Sequence, residues 1–201
     1  MHTLIVTAHP SPESYTHAVV TRLVAGLESV SEATYEVLNL ASSGFDPRFA
    51  GPDHDLLHER GSAPADVLEE QRRVDRADVL VLVFPVYWWS MPAVMKGWID
   101  RVFVQGWAFI DDPGKGTKRL LKRLKGQVVA IGGADRATYE RRGYLDVLNA
   151  QIIQGIFRYC GMQTIGSELL HPIGRPEAES GLQRAFEIGQ RVAYGRPEPS
   201  I

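Results

Sequence analysis

With 201 residues, 24 acidic against 22 basic side chains, a net charge of −2 and 44% hydrophobic residues, the chain has the makeup of an ordinary globular protein with a substantial core. The near-neutral charge and the lack of an arginine-rich arm exclude a polyanion partner such as nucleic acid, and no apolar run reaches the length of a membrane span. Cys160 is the sole cysteine, which excludes a disulfide framework and fits a reducing cytoplasm, and the opening residues carry no secretory-signal pattern.

The first apolar run, residues 4–7, predicts a short strand, and a polar loop leads from it into an amphipathic helix over about 17–27. A helix starting just beyond a strand offers unpaired N–H groups and the positive end of its dipole to an anion, and Ser11, Ser14 and Thr16 add hydroxyls. Neither the GxGxxG fingerprint nor the Walker lysine is present. The competing reading is that Ser14 or Thr16 only caps the helix. Residues 35–40 read as the second strand. The stretch 41–64, punctuated by Gly44, Pro47, Gly51, Pro52, Gly61 and Pro64, is long enough to be functional or to make an interface. Within it Asp53, His54, Asp55 and His58 invite a metal reading. Asp55 breaks the HExxH pattern and no third ligand is visible, so a solvated polar turn and no metal are expected.

A helix over 65–76, with Asp66, Glu69, Glu70, Arg72 and Arg73 on its wet face, leads to the most informative stretch. Residues 79–84, VLVLVF, are an unbroken apolar run rich in β-branched side chains and predict a strand buried on both faces. Pro85 ends it, and Pro92 opens a helix to about residue 104. Between them stand Val86, Tyr87, Trp88, Trp89, Ser90 and Met91. The carboxyl end of a buried strand is where open α/β sheets bind ligands, so three consecutive aromatics there imply a flat, apolar ligand. Trp107 and Phe109 form a second aromatic patch, expected to flank the same strand end. Lys115, Lys118, Arg119, Lys122, Arg123 and Lys125 are expected on a solvated turn or short helix.

The fourth strand, 127–131, ends in Gly132 and Gly133, which let the backbone approach a ligand closely. Tyr139 and Tyr144 are expected in a polar loop after it. A helix over about 145–159 stops at Gly161, beside a core Cys160, and a fifth strand over 163–169 and a closing helix over 177–192 precede a short Pro-rich tail, 196–201. With no composition break or repeat, residues 1–201 read as one domain. Strands alternating with helices predict an α/β, doubly wound five-stranded parallel sheet, order 2-1-3-4-5, with helices on both faces. That order brings three loops to one switch point: 9–16, 86–91 and 132–139. Phosphate donors at the first, aromatics at the second and bare N–H groups at the third match the tail, ring and carbonyl edge of a flavin.

The segment FPVYWW at 84–89 and MPAVMKGWIDRVF at 91–103 resemble the NAD(P)H:quinone oxidoreductase family with a flavodoxin-like fold, which includes DT-diaphorases, bacterial quinone reductases and potassium-efflux accessory proteins. The resemblance extends through His9-Pro10, Ser14-Tyr15-Thr16, the Gln105 to Phe109 stretch, Gly132-Gly133 and residues 160–163. It implies that His9, Ser14, Tyr15, Thr16 and Ala18 hold the flavin phosphates, and that Pro85, Val86, Tyr87, Trp88 and Trp89 lie along the isoalloxazine edge. It implies that Trp88 and Trp89, with Trp107 and Phe109, line the pocket for nicotinamide and acceptor. Gly132 and Gly133 would offer N–H groups that stabilise the charge on the reduced ring, and Tyr139, or Tyr144 in its place, or neither, would steady that ring; no side chain is assigned to the proton.

The activity so implied is a ping-pong, two-electron transfer from NADPH or NADH to a quinone or another flat aromatic acceptor, in a cytoplasmic homodimer. The cofactor expected is FAD, from the Ser14-Tyr15-Thr16 loop, with FMN as the other form; Gly181 falls near where the animal enzymes carry an adenine-side arginine. The alternative function is a flavin-binding regulatory or accessory subunit associated with a membrane transporter such as a potassium-efflux system. A one-electron flavodoxin-type carrier is disfavoured, because such carriers are strongly acidic and this chain is near neutral.

Overall fold

The computed structural model describes residues 1–30 and 32–196. In chain order its elements are β1 (His2–Thr7), α1 (Tyr15–Glu28), β2 (Thr34–Asn39), α2 (Gly51–Leu57), α3 (Ala65–Arg76), β3 (Val79–Pro85), α4 (Ala93–Val102), β4 (Phe109–Asp112), β5 (Gly116–Arg119), β6 (Lys125–Ile131), α5 (Arg136–Arg141), α6 (Tyr144–Leu148), β7 (Gln163–Leu170) and α7 (Arg175–Ala193). Five strands form one parallel sheet in the order β2-β1-β3-β6-β7. Counting only its own strands, that is the expected order 2-1-3-4-5.

Strand β3 is central because both of its faces are apolar. Leu80, Leu82 and Phe84 point into a core shared with Val74 of α3, Trp98 of α4 and Phe157. Val79, Val81 and Val83 point the other way, against Leu23 of α1 and Ile188 of α7. Side chains alternate along a strand, so a continuous apolar run fits only a strand covered by helices on both sides. The expected helices on both faces are thus present.

Several local expectations are corrected. Residues 41–64 are not an unstructured stretch with a solvated turn, since they contain α2. Asp53 within it is 1% exposed and pairs with Arg101 of α4 at 2.9 Å. A carboxylate reads as solvent-facing from sequence, and the burial becomes visible only once the arginine of a distant helix is brought to it. Among the described residues no group of three or more His, Cys, Asp or Glu could hold a metal ion. The basic cluster is divided: Lys115, Lys122 and Arg123 lie in turns as expected, while Lys118 and Arg119 lie on β5, which pairs with β4 as an antiparallel hairpin, and Lys125 opens β6. Gly114 and Gly116, at φ 91° and 81°, supply the reversal. Neither strand has a buried residue, so they carry no apolar alternation to announce them.

Tyr139 and Tyr144 do not sit in a polar loop but on α5 and at the start of α6, two short helices split by Gly143 at φ 70°. Helix α6 runs on as a π-helical stretch, Asn149–Arg158, before ending at Gly161. Gly155 leaves room for the Ala150 carbonyl five residues earlier, 3.1 Å from where a Cβ would stand. Wider turns of this kind occur often at functional sites. Cys160 is buried, as expected of a small core residue, and burial pushes its thiol up to about 11. Most of the Pro-rich tail lies outside the described residues. No described helix is long and apolar enough to cross a membrane.

Candidate active site

Strands β1, β3 and β6 are neighbours and parallel, so the loops leaving their carboxyl ends meet. Loop 8–14 follows β1, loop 86–92 follows β3, and loop 132–135 follows β6. These are the three loops expected at the switch point, and Val86 N–H joins the second to the third by donating to the Ile131 carbonyl at 2.9 Å.

The first loop is a set of donors. Ser14 caps α1, its hydroxyl accepting from the His17 backbone N–H at 3.3 Å. Capping does not exhaust the site, because the N–H groups of Tyr15 and Thr16 have no acceptor among the described residues. Thr16 is 3% exposed and its hydroxyl has no partner there either. His9 Nδ1 lies 3.1 Å from the Ser11 N–H and 3.3 Å from the Ser11 carbonyl, so the ring is held against the loop. Unpaired N–H groups at the positive end of a helix, with hydroxyl and imidazole groups around them, suit a phosphate.

Tyr15 faces the other way. Its hydroxyl donates to the Ala178 carbonyl of α7 at 2.9 Å, and a methyl on Gly181 would overlap it. Gly181 therefore makes room for Tyr15, and a larger residue there would displace the phenol. Ala18, one turn further, donates its backbone N–H to the Ser14 carbonyl at 3.1 Å and so belongs to the helix rather than to the donor set.

The second loop is a tight turn. Tyr87 N–H donates to the Ser90 carbonyl at 3.0 Å and Ser90 N–H to the Tyr87 carbonyl at 3.1 Å. Trp88 and Trp89 between them both have positive φ, 49° and 62°. Such turns favour Asn and Gly, and a bulky residue held there costs on the order of 1–3 kcal/mol. Trp88 is 94% exposed, so no packing offsets that cost. Replacing Trp88→Asn is expected to raise the unfolding free energy by about 1 kcal/mol, read by urea denaturation; a loss of stability would show that the ring packs after all. The N–H groups of Trp88 and Trp89 find no acceptor among the described residues. Ser90 anchors the turn to the π-helical stretch by donating to Gln151 Oε1 at 2.6 Å.

Trp89 lies in an aromatic cluster. It stacks on Tyr144 with centroids 3.6 Å apart and meets Tyr139 edge-on at 5.5 Å. Tyr139 is 1% exposed and burial raises its pKa, so its phenol stays protonated and serves as a donor. Its hydroxyl stands 3.0 Å from where a Cβ of Gly132 would be, so Gly132 is the gap that admits it. His171, at the end of β7, completes the cluster edge-on to Tyr139 at 5.5 Å, with Nδ1 bonded to the Ala134 carbonyl at 2.8 Å. A carbonyl only accepts, so Nδ1 donates to it and Nε2 is the nitrogen left uncommitted. Sequence reasoning missed His171 because it arrives from a different strand; a histidine at a strand's carboxyl end was the available signal.

Two site expectations change. Gly132 and Gly133 were expected to present both N–H groups, but Gly132 N–H already donates to the Leu170 carbonyl at 2.8 Å. Only Gly133 remains, with open space around its Cβ position. Trp107 does not flank the strand end. It packs on Phe103 at 5.7 Å and donates to Asp75 Oδ2 at 3.3 Å, near the amino end of β3, because α4 carries the chain back along the sheet. Phe109 packs on Tyr159 at 5.0 Å and lines an apolar groove of about 370 Å³ between α4 and the π-helical stretch, with Met91, Ile99, Phe103, Ile156 and Tyr159.

A doubly wound sheet with unpaired donors and an aromatic turn at its switch point has the architecture of the flavodoxin-like class. The chain belongs to that family: a family model described as a flavodoxin-like fold matches residues 1–191. It is 31% identical over 190 residues to ribosyldihydronicotinamide dehydrogenase [quinone] of Mus musculus, covering 83% of this chain and 79% of the mouse protein. It is 27% identical over 200 residues to NAD(P)H dehydrogenase [quinone] 1 of Rattus norvegicus, covering 90% and 72%. Among solved structures, NAD(P)H:quinone oxidoreductase from Methanothermobacter marburgensis superposes with a TM-score of 0.87, at 26% identity and with 96% of both chains covered.

Proposed function

We propose that the chain is a flavin-dependent NAD(P)H:quinone oxidoreductase, one flavin-binding domain across residues 1–201, acting in the cytoplasm. The observation that carries it is the Tyr87–Ser90 turn. Two tryptophans are held in a costly conformation, one of them almost bare, with unpaired N–H groups, in the loop that leaves the strand next to the one leading to Gly133. Strain of that kind persists where function requires it. The relatives named above, quinone dehydrogenases in name, support the same reading.

A bound flavin would supply the redox chemistry, hydride transfer between a nicotinamide and an acceptor. His9, Ser14 and Thr16, with the Tyr15 and Thr16 N–H groups, hold its phosphates. Pro85, Val86 and Tyr87 shape the strand end that the ring lies along, and the Trp88 and Trp89 N–H groups hold its polar edge. Gly133 N–H donates to it from the β6 side. The indole of Trp88 gives nicotinamide and quinone, in turn, a flat surface to stack on. Tyr139, kept protonated by burial, would donate a hydrogen bond, and His171, packed edge-on against it, would exchange the proton through Nε2. We propose FAD as the flavin and a homodimer whose subunits meet along the apolar groove beside α4, which would carry Phe109 to the partner's pocket.

The test is an anaerobic visible spectrum of the purified protein before and after NADPH and then menadione. Flavin bands that bleach and return support the enzyme, and the flavin released on denaturation identifies FAD or FMN. Bands that bleach and stay bleached with every free quinone favour the accessory role beside a transporter. A protein that takes up no flavin overturns the reading.

A further inference from the structure

The hydrogen bonds around the first loop fix the direction of each proton in a chain of three side chains. Asn39, the last residue of β2, has its amide orientation set by Ala41, whose N–H donates to Oδ1 at 3.1 Å. The amide nitrogen therefore faces the His9 carbonyl at 3.4 Å and His17 Nε2 at 3.2 Å. An amide nitrogen only donates, so His17 Nε2 accepts and the ring proton lies on Nδ1. Nδ1 is 3.0 Å from Ser14 Oγ, and the His17 backbone N–H donates to the same oxygen at 3.3 Å. A hydroxyl has two lone pairs and one hydrogen. With both lone pairs taken, Ser14 can use its hydroxyl only as a donor, and no acceptor for it exists among the described residues. Beside it are the unpaired N–H groups of Tyr15 and Thr16 and the unpartnered hydroxyl of the buried Thr16. Donors without acceptors call for a ligand that only accepts.

We propose that His17 and Asn39 are positioning residues that lock the Ser14 hydroxyl as a donor to the phosphate end of the flavin. The inference rests on the flavin reading above and adds to it a residue outside the donor set. In the absence of the lock, Ser14 could turn its proton toward the ring and present lone pairs to the phosphate. His17 thus acts through Ser14 and on the phosphate alone; the isoalloxazine ring is unaffected by it.

The experiment is a fluorescence titration of the flavin-stripped protein with the flavin it releases on denaturation and, separately, with riboflavin, which has no phosphate. His17→Phe, which keeps a ring and removes the donor, is expected to weaken the phosphorylated flavin about tenfold and leave riboflavin unchanged. His17→Asn, whose amide N–H can stand where Nδ1–H stood, is expected to regain most of that loss. Equal weakening of both ligands would reduce His17 to a structural residue and overturn the inference, as would an unchanged affinity in His17→Phe. Failure of His17→Asn to recover affinity would overturn it too. Wild-type protein that binds neither ligand would overturn the flavin reading itself, whereas phosphate-dependent binding that ignores His17 overturns only the inference.

Discussion

Replacing Arg101→Met is expected to destabilise the protein by about 3–5 kcal/mol, the cost of leaving a buried carboxylate without its partner. Arg101 Nε donates to Asp53 Oδ1 at 2.9 Å, while Nη1 donates to Asp66 Oδ2 and to the Asp46 carbonyl, both at 2.6 Å. The guanidinium also lies over the Phe45 ring at 5.0 Å. One side chain of α4 therefore ties down the stretch 45–53 and the start of α3. Asp66 feels the pairing, since its hydrogen bond from Arg101 holds its carboxyl below the usual range. Asp53 would keep only the Ala50 N–H at 2.8 Å. Whole domains are stable by about 5–15 kcal/mol, so the variant would lose a large share of the margin. Urea denaturation measures it, and the double replacement with Asp53→Asn should recover part of the loss because the stranded charge goes with it. A cost under about 1 kcal/mol for Arg101→Met would mean that the pair behaves as a surface ion pair.

Gly133→Val is expected to leave folding stability within about 0.5 kcal/mol of wild type and to weaken flavin binding by tenfold or more, with NAD(P)H-dependent quinone reduction falling in step. A Cβ at Gly133 meets no atom within 4 Å, so the protein has nothing to rearrange. The space it would enter is the one assigned to the flavin ring. Gly132→Ala provides the contrast: its methyl would stand 3.0–3.1 Å from the Tyr139 ring and hydroxyl, so that change should cost stability. Thermal melts together with flavin titrations separate the two glycines. Wild-type flavin affinity in Gly133→Val would move the ring away from this loop.

Much of the site is legible in the sequence for one reason: its loops sit at strand ends that announce themselves. The unbroken apolar run of β3 marks a buried central strand, and whatever follows its carboxyl end lies at the switch point. Trp88, Trp89, Ser14, Thr16 and Gly133 are picked out that way, and the structure brings their three loops together. Trp107 misleads because aromatic composition carries no information on which end of a helix it occupies. The turn of α4 back along the sheet, which puts Trp107 beside Asp75, is a tertiary fact. His171 is missed because its neighbours in space, Tyr139 and Ala134, are more than thirty positions away in the chain.

The sequence by itself determined the strand order, the two-sided core and the loops that meet above it, because apolar periodicity and chain connectivity are local properties that constrain a doubly wound sheet closely. Only the tertiary structure decided which polar groups are already engaged. Gly132 N–H is taken by Leu170, Asp53 is buried against Arg101, and Ser14 Oγ is met by both the ring and the backbone N–H of His17. Hydrogen bonds and ion pairs depend on ångström-scale placement of residues far apart in the chain, and no local pattern encodes that distance.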